Sequence, residues 1–253
     1  MMPRLSLCIL AVLTLLPFGT FHAQGSESRD AYVSSNLLAA LYHGLGHALI
    51  DTMELAPGFE VERRAAELSV LLVDRFYEER AAADMALDTA FGFSERYEAR
   101  QQAVRPSPYW HAHGTGLERY YDLLCLFAGG NLVERSDLVL SLGLFASRLP
   151  GCPDEFTAAI AEWSPVLSRM EDLHLAGRGH PLVIESRAEL PGAQRDVLAF
   201  EIQALNTIMR LPRPFGVIVD RCYEANIHWL PEQREIIVCV EYVTYLYETA
   251  MSR

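Results

Sequence analysis

The sequence contains no lysine: all 21 of its basic residues are arginine, set against 33 acidic ones, for a formal net charge of -12 over 253 residues. Without a basic footprint the chain is a poor partner for nucleic acid or for an anionic membrane face. Past the N-terminal segment it also lacks any apolar run of the roughly 20 residues that a membrane span requires. No pair of cysteines has the CxxC spacing, which argues against thiol redox chemistry and thiolate zinc sites. Internal repeats and low-complexity tracts are absent too, so solenoids and disordered interaction tails are poor readings.

The N-terminus has the order of a secretory signal. Arg4 is its only charge, Leu5 to Leu16 is apolar, and small or polar residues follow to His22-Ala23-Gln24. That pattern predicts a signal peptide over 1–23, cleaved after Ala23, and an exported protein, periplasmic or secreted. Cys8 lies inside the apolar run, leaving Cys125, Cys152, Cys222 and Cys239 in the mature chain. An even count in an exported chain points to disulfides. Three pairings are open, and sequence proximity favours Cys125–Cys152 with Cys222–Cys239.

The rest, 24–253, reads as a single domain. Leu37, Leu38, Leu41, Leu45 and Leu49 recur at helical spacing, predicting a helix from Ser35 to about Met53. Pro57-Gly58 breaks it, and helices follow over 60–80, 81–102, 116–128, 134–147 and 154–171. Residues 174–196, rich in Gly, Pro and charge, read as a loose linker. A helix over 196–209 comes next. The β-branched runs Val217-Ile218-Val219 and Ile236-Ile237-Val238 predict two strands joined through a turn at Pro231-Glu232, and 241–251 begins a last helix. The fold class is α+β, mainly helical, with a small C-terminal β-ribbon beside the first helix.

The chemistry concentrates in Tyr42-His43-Gly44-Leu45-Gly46-His47-Ala48-Leu49-Ile50-Asp51. Two histidines four apart on a helix project from one face and can share a metal ion. In the zinc-peptidase form of this motif a glutamate follows the first histidine and acts as general base on metal-bound water; here that position is Gly44. A third ligand from the next helix would be Glu62, with Glu60 and Glu67 as competitors. The bland alternative for the histidines is packing, and for the carboxylates a solvated acidic face near a helix start.

This stretch resembles the HELGHALID core of the exported bacterial "putative metallopeptidase" family, which is zincin-like. The resemblance extends to Pro108-Tyr109-Trp110-His111-Ala112-His113, to Arg119-Tyr120-Tyr121 with Leu124-Cys125, and to Cys152-Pro153-Asp154-Glu155-Phe156 with Trp163. Near the end it includes Leu211-Pro212, Cys222-Tyr223-Glu224-Ala225-Asn226 and Arg234 to Glu241. In the family this last block precedes the His helix, so the chain resembles a circular permutant in which joining Glu248 to Tyr32 restores the order. The resemblance implies zinc on His43, His47 and Glu62, and a catalytic glutamate replaced by Gly44. His113 and Asn226 also match family positions, Asn226 as the holder of a turn, while His111 and His228 match no family histidine. Glu241 matches as well and is the candidate for a substitute base. The implied function is a degenerate metallopeptidase homologue that binds a peptide or protein partner or acts as a scaffold. An active zinc peptidase with a displaced base and a metal-free structural domain are the alternatives.

Overall fold

A computed structural model describes residues 20–55, 60–102 and 116–251. The signal read over 1–23 falls outside them up to residue 19, as do Trp110, His111 and His113. Eight helices carry most of the described chain: α1 (Thr20–Met53), α2 (Val61–Phe76), α3 (Glu79–Gln102), α4 (Gly116–Gly130), α5 (Leu132–Ser141), α6 (Cys152–Leu175), α7 (Gly192–Ile208) and α8 (Val240–Met251). Four short strands complete it: β1 (Val183–Ser186), β2 (Gly216–Asp220), β3 (Ile227–Leu230) and β4 (Glu235–Cys239). The chain is therefore α+β and mainly helical, with a small sheet, and no helix among the described residues is long and apolar enough to cross a membrane.

Helix α1 is the axis of the molecule. It packs against α2, α3, α7 and α8 and also meets β3 and β4. Leu37, Leu41, Leu45 and Leu49 are buried, and so is Tyr42 on another side. A helix buried round most of its circumference carries apolar residues beyond a single stripe. Tyr42 donates its hydroxyl to Glu201 on α7, and Tyr77, just after α2, donates to the same carboxylate at 3.0 Å. This buried knot satisfies the polar groups that α1, α2 and α7 bring together. Burial, with Glu201 and Tyr77 alongside, drives the Tyr42 hydroxyl far above the ordinary phenol range, so it stays a neutral donor.

The sheet departs from the two-strand expectation in three ways. Its order is β1-β2-β4-β3, with β1–β2 and β2–β4 parallel and only β3–β4 antiparallel. The two β-branched runs do form strands, yet they lie parallel, Val217 opposite Ile236. They therefore cannot be joined by one tight turn; the turn at Pro231-Glu232 joins β3 to β4 instead. Strand β3, Ile227-His228-Trp229-Leu230, escapes the sequence pattern because a histidine and a tryptophan interrupt its apolar character. The third departure is that 174–196 is not a loose linker. It holds the end of α6, all of β1 and the start of α7, and β1-α7-β2 is a parallel crossover unit. As an edge strand with mostly exposed side chains, β1 has no hydrophobic signature to read.

Both disulfides favoured by proximity are present, Cys125–Cys152 joining α4 to the start of α6 and Cys222–Cys239 tying the segment after β2 to the end of β4. With the first 23 residues removed, the unreduced protein should show no free thiol in a denaturing thiol titration. Replacing Cys222 and Cys239 by serine together should cost about 3 kcal/mol in denaturant unfolding, from the chain entropy released over a 17-residue separation. One or more titratable thiols per chain would refute the pairing.

Candidate metal centre

His43 and His47 lie one turn apart on α1, and their Nε2 atoms are 3.0 Å from each other. Glu62, in the first turn of α2, closes the group: Oε1 is 3.3 Å from Nε2 of His43 and Oε2 is 3.0 Å from Nε2 of His47. All three side chains are about a fifth to a quarter exposed, so the cluster is sheltered but reachable from solvent.

A close helix crossing brings α2 to this point. A Cβ on Gly46 would stand 2.6 Å from Cα of Ala65 and 3.0 Å from its carbonyl oxygen. Only a residue without a side chain lets the two backbones approach so nearly. Ala65 and Glu62 are three apart on α2 and share a face, so this contact lays the carboxylate over the histidine pair. Gly46→Leu is expected to push α2 away, weakening zinc retention more than tenfold, with a stability loss of about 1–3 kcal/mol from overpacking. Equilibrium dialysis against zinc and denaturant unfolding would read the two effects, and unchanged zinc affinity would disconnect the crossing from the site.

The competing carboxylates are engaged elsewhere. Arg63 pairs with Glu67 and with Glu60, the latter at 2.8 Å, and Arg64 reaches Glu162 on α6 at 3.1 Å. The two arginines next to Glu62 thus occupy its neighbours and leave Glu62 to the histidines.

The donor set fits zinc. Two imidazole nitrogens and a carboxylate match its ligand preferences, and tetrahedral bonds of about 2.0–2.1 Å set neighbouring ligand atoms roughly 3.3 Å apart. The observed separations of 3.0 to 3.3 Å are close to that spacing. Three protein ligands leave a fourth position open, as catalytic rather than closed structural sites do. On the His47 side a depression of about 380 Å³ is lined by His47, Asp51, Glu54 and Trp229. Trp229 donates its indole N–H to Asp51 at 3.2 Å, so β3 forms one wall of the approach. Neither Asp51 nor Trp229 is singled out by the sequence as a site residue, because their meeting depends on where β3 docks.

The position after the first histidine is blocked. Gly44 is buried, and a Cβ there would come within 2.9 Å of Cγ2 of Ile236 and 3.4 Å of Cγ2 of Ile227. The space that a side chain would take is filled by β4 and β3. Glu241 is held in a structural task, its two oxygens accepting the backbone N–H groups of Cys222 and Tyr223 at 3.0 Å each. Burial pushes its pKa up, but hydrogen bonds from those amides and from its own outweigh this and hold it below the usual carboxylate range. A carboxylate so stabilised is a weak base.

Asn226 stands at the turn into β3, where its side-chain oxygen accepts from Ile227 N–H at 2.9 Å and its carbonyl from Cys239 N–H at 3.2 Å. His228 pairs with Glu224 at 2.9 Å. It also lies near Cys222 and Cys239, whose sulfurs are spent on each other in the disulfide.

A sequence profile of the family described as "Putative metallopeptidase" matches residues 4–167, a span that includes both histidines, Glu62 and the Cys125–Cys152 pair. No curated protein and no solved structure matches the chain. With the profile covering well over half of its length, the chain belongs to that metallopeptidase family.

Proposed function

We propose that this protein is a zinc-binding metallopeptidase homologue that has kept the metal centre and lost peptide hydrolysis, and that it works outside the cytoplasm by binding a peptide or protein partner. The observation that carries the reading is the convergence of His43, His47 and Glu62 within 3.0 to 3.3 Å at the crossing of two helices. Bound zinc would supply a Lewis acid at the open position, able to polarise a carbonyl oxygen. This chain's own residues would hold the ion and shape the approach between His47 and Trp229.

Hydrolysis also needs a base to take a proton from the attacking water. Gly44 stands where the family resemblance puts that glutamate, and Ile236 occupies the space beside it. The substitute that sequence reasoning offers, Glu241, is committed to two backbone amides. Export is supported by the signal-like N-terminus and by the two disulfides.

The order of the chain is part of the reading. The family profile ends at residue 167, before the sheet, while the Cys222-to-Glu241 block that resembles the family's opening segment lies beyond it. Tyr247, near the end of α8, donates its hydroxyl to Asp30 in the N-terminal third of α1 at 2.5 Å. That closeness supports a circular permutation, in which the junction between Glu248 and Tyr32 needs little chain.

The test is one sample and two measurements, zinc per chain by elemental analysis and cleavage of a mixed peptide library. About one zinc with no cleavage is the expected result. Metal-dependent cleavage abolished by His43→Ala would overturn the inactive reading, and loss of that cleavage in Glu241→Gln would identify the displaced base.

A further inference from the structure

A second group of metal-ligand atoms lies on the C-terminal sheet, where the two sulfurs of Cys222 and Cys239 and one ring nitrogen of His228 all stand within 4.8 Å of one another. No CxxC spacing announces it; the sheet assembles it. Strand β3 folds back on β4 so that His228 stands opposite Ile237, two residues before Cys239. His228 and Cys239 are therefore diagonal neighbours on one face of the sheet, within reach of a long side chain. Cys222 arrives from β2, two residues past Asp220, whose own partner in the parallel ladder is Cys239.

In the oxidised chain the two sulfurs are bonded to each other. The two disulfides differ in exposure. Cys125 and Cys152 are both fully buried, whereas Cys222 is half-buried beneath a loop in which Arg221, Tyr223, Glu224 and Ala225 are exposed. Thiol–disulfide exchange depends on access to the attacked sulfur, so an external thiol opens the Cys222–Cys239 bond first. The group does not need that bond to keep its place. Glu241 accepts the backbone N–H groups of Cys222 and Tyr223 at 3.0 Å each, and Cys239 donates its N–H to Asn226 O at 3.2 Å. Reduction thus frees two sulfurs whose backbone is held by other means.

Two thiolates and an imidazole are a preferred donor set for zinc. Tetrahedral zinc, with bonds of about 2.3 Å to sulfur, needs the sulfurs roughly 3.8 Å apart, a separation that rotation of the half-buried Cys222 side chain can supply. A metal-bound imidazole ordinarily has a carboxylate beside it, and Oε1 of Glu224 lies 2.9 Å from Nε2 of His228.

We propose that Cys222, Cys239 and His228 form a zinc site in the reduced chain, so that one clasp closes either by a disulfide or by a metal ion. A dithiol reductant supplies the two electrons. One of its thiolates attacks Sγ of Cys222, Cys239 leaves as a thiol, and the second thiol closes the reductant's own disulfide. Zinc then displaces the two thiol protons as it binds. In the reverse direction a disulfide oxidant takes two electrons from the thiolates and the ion departs. In a chain that acquires its disulfides only after export, zinc would hold β4 to the loop after β2 until oxidation. The site is independent of the His43 centre.

Protein lacking residues 1–23 and carrying His43→Ala/His47→Ala, which removes the first centre, is reduced with dithiothreitol, freed of it without air, and titrated with cobalt(II) and then zinc. About one cobalt per chain is expected, with the near-ultraviolet absorption that sulfur-to-cobalt charge transfer gives, and zinc should displace it. The oxidised protein should show no such absorption, and adding Cys222→Ser/Cys239→Ser should abolish it in the reduced protein. Adding His228→Ala should weaken binding by more than tenfold, since loss of even an outer partner of a ligand costs ~10–100-fold. Zinc should also raise the Tm of the reduced protein and leave that of the oxidised protein unmoved. Charge-transfer absorption undiminished by His228→Ala, or its absence from reduced protein that is still folded, overturns the proposal. Reduced protein that unfolds and is not restored by zinc overturns it too, because the ligands' backbone positions must outlast the disulfide.

Discussion

Protein lacking residues 1–23 and purified without a metal-affinity tag should carry about one zinc per chain, and the His43→Ala/His47→Ala double variant should carry none. The histidines supply two of the three ligand atoms, and their Nε2 atoms already stand 3.0 Å apart on one helical face. Removing both leaves Glu62 alone, and one carboxylate near the surface holds zinc no better than many others do. The single variant Glu62→Ala should bind in between. Disrupting even the outer partners of metal ligands costs ~10–100-fold in affinity, so loss of a direct ligand should exceed that range.

A thermal readout gives an independent check. Ligand that binds only the folded state at a thousandfold excess over Kd stabilises by ~4 kcal/mol. In a domain of this size that raises Tm by about 10 °C. Zinc should therefore raise the Tm of the parent protein and leave that of the double variant unmoved. Absence of zinc even after incubation with it would leave a metal-free relic in which Glu62 bridges two imidazoles.

The second large effect concerns the missing base. Gly44→Glu alone should yield no peptidase and should lower stability by about 1–3 kcal/mol, the usual cost of forcing atoms into a packed interior. The cause is specific: a Cβ at this position meets Cγ2 of Ile236 at 2.9 Å, and Ile236 is fully buried in β4. Helix propensity would favour replacing Gly44 by roughly 1 kcal/mol, so the contact with the sheet has to exceed that gain for the variant to be destabilised. Gly44→Glu combined with Ile236→Ala relieves the clash. If the metal centre is otherwise competent, the pair should cleave peptide ~10²–10⁴-fold faster than Ile236→Ala alone, which lacks the carboxylate, the range a positioned general base contributes. Cleavage by Gly44→Glu alone, with stability unchanged, would show that the sheet yields at this point and that the glycine is the whole lesion. Silence in both variants, with zinc still bound, would place the loss of hydrolysis deeper in the site.

Features set by local geometry were legible in the sequence. Two histidines four apart on an amphipathic pattern must share a face, whatever surrounds them, because the helix repeat fixes their directions. The helices were readable for the same reason, although α1 runs from Thr20 rather than from Ser35. The disulfides were readable from an even count and short separations, and the sheet's two inner strands from their β-branched runs. Gly44 in place of a glutamate was visible as a letter.

Everything that depended on one segment meeting another was decided by the tertiary structure. The choice of Glu62 over Glu60 and Glu67 follows from Arg63 engaging both rivals and from the Gly46–Ala65 contact that sets the angle of α2. The obstruction at Gly44 exists because β3 and β4 dock on α1 from nearly two hundred residues further along the chain. Strand β1 was hidden because an exposed edge strand carries no period-two burial to detect, and the parallel pairing of β2 with β4 because crossover register is not encoded by any short pattern. The space of about 150 Å³ beside His43 is lined from five helices, α1, α2, α3, α4 and α8, and only their packing left it open.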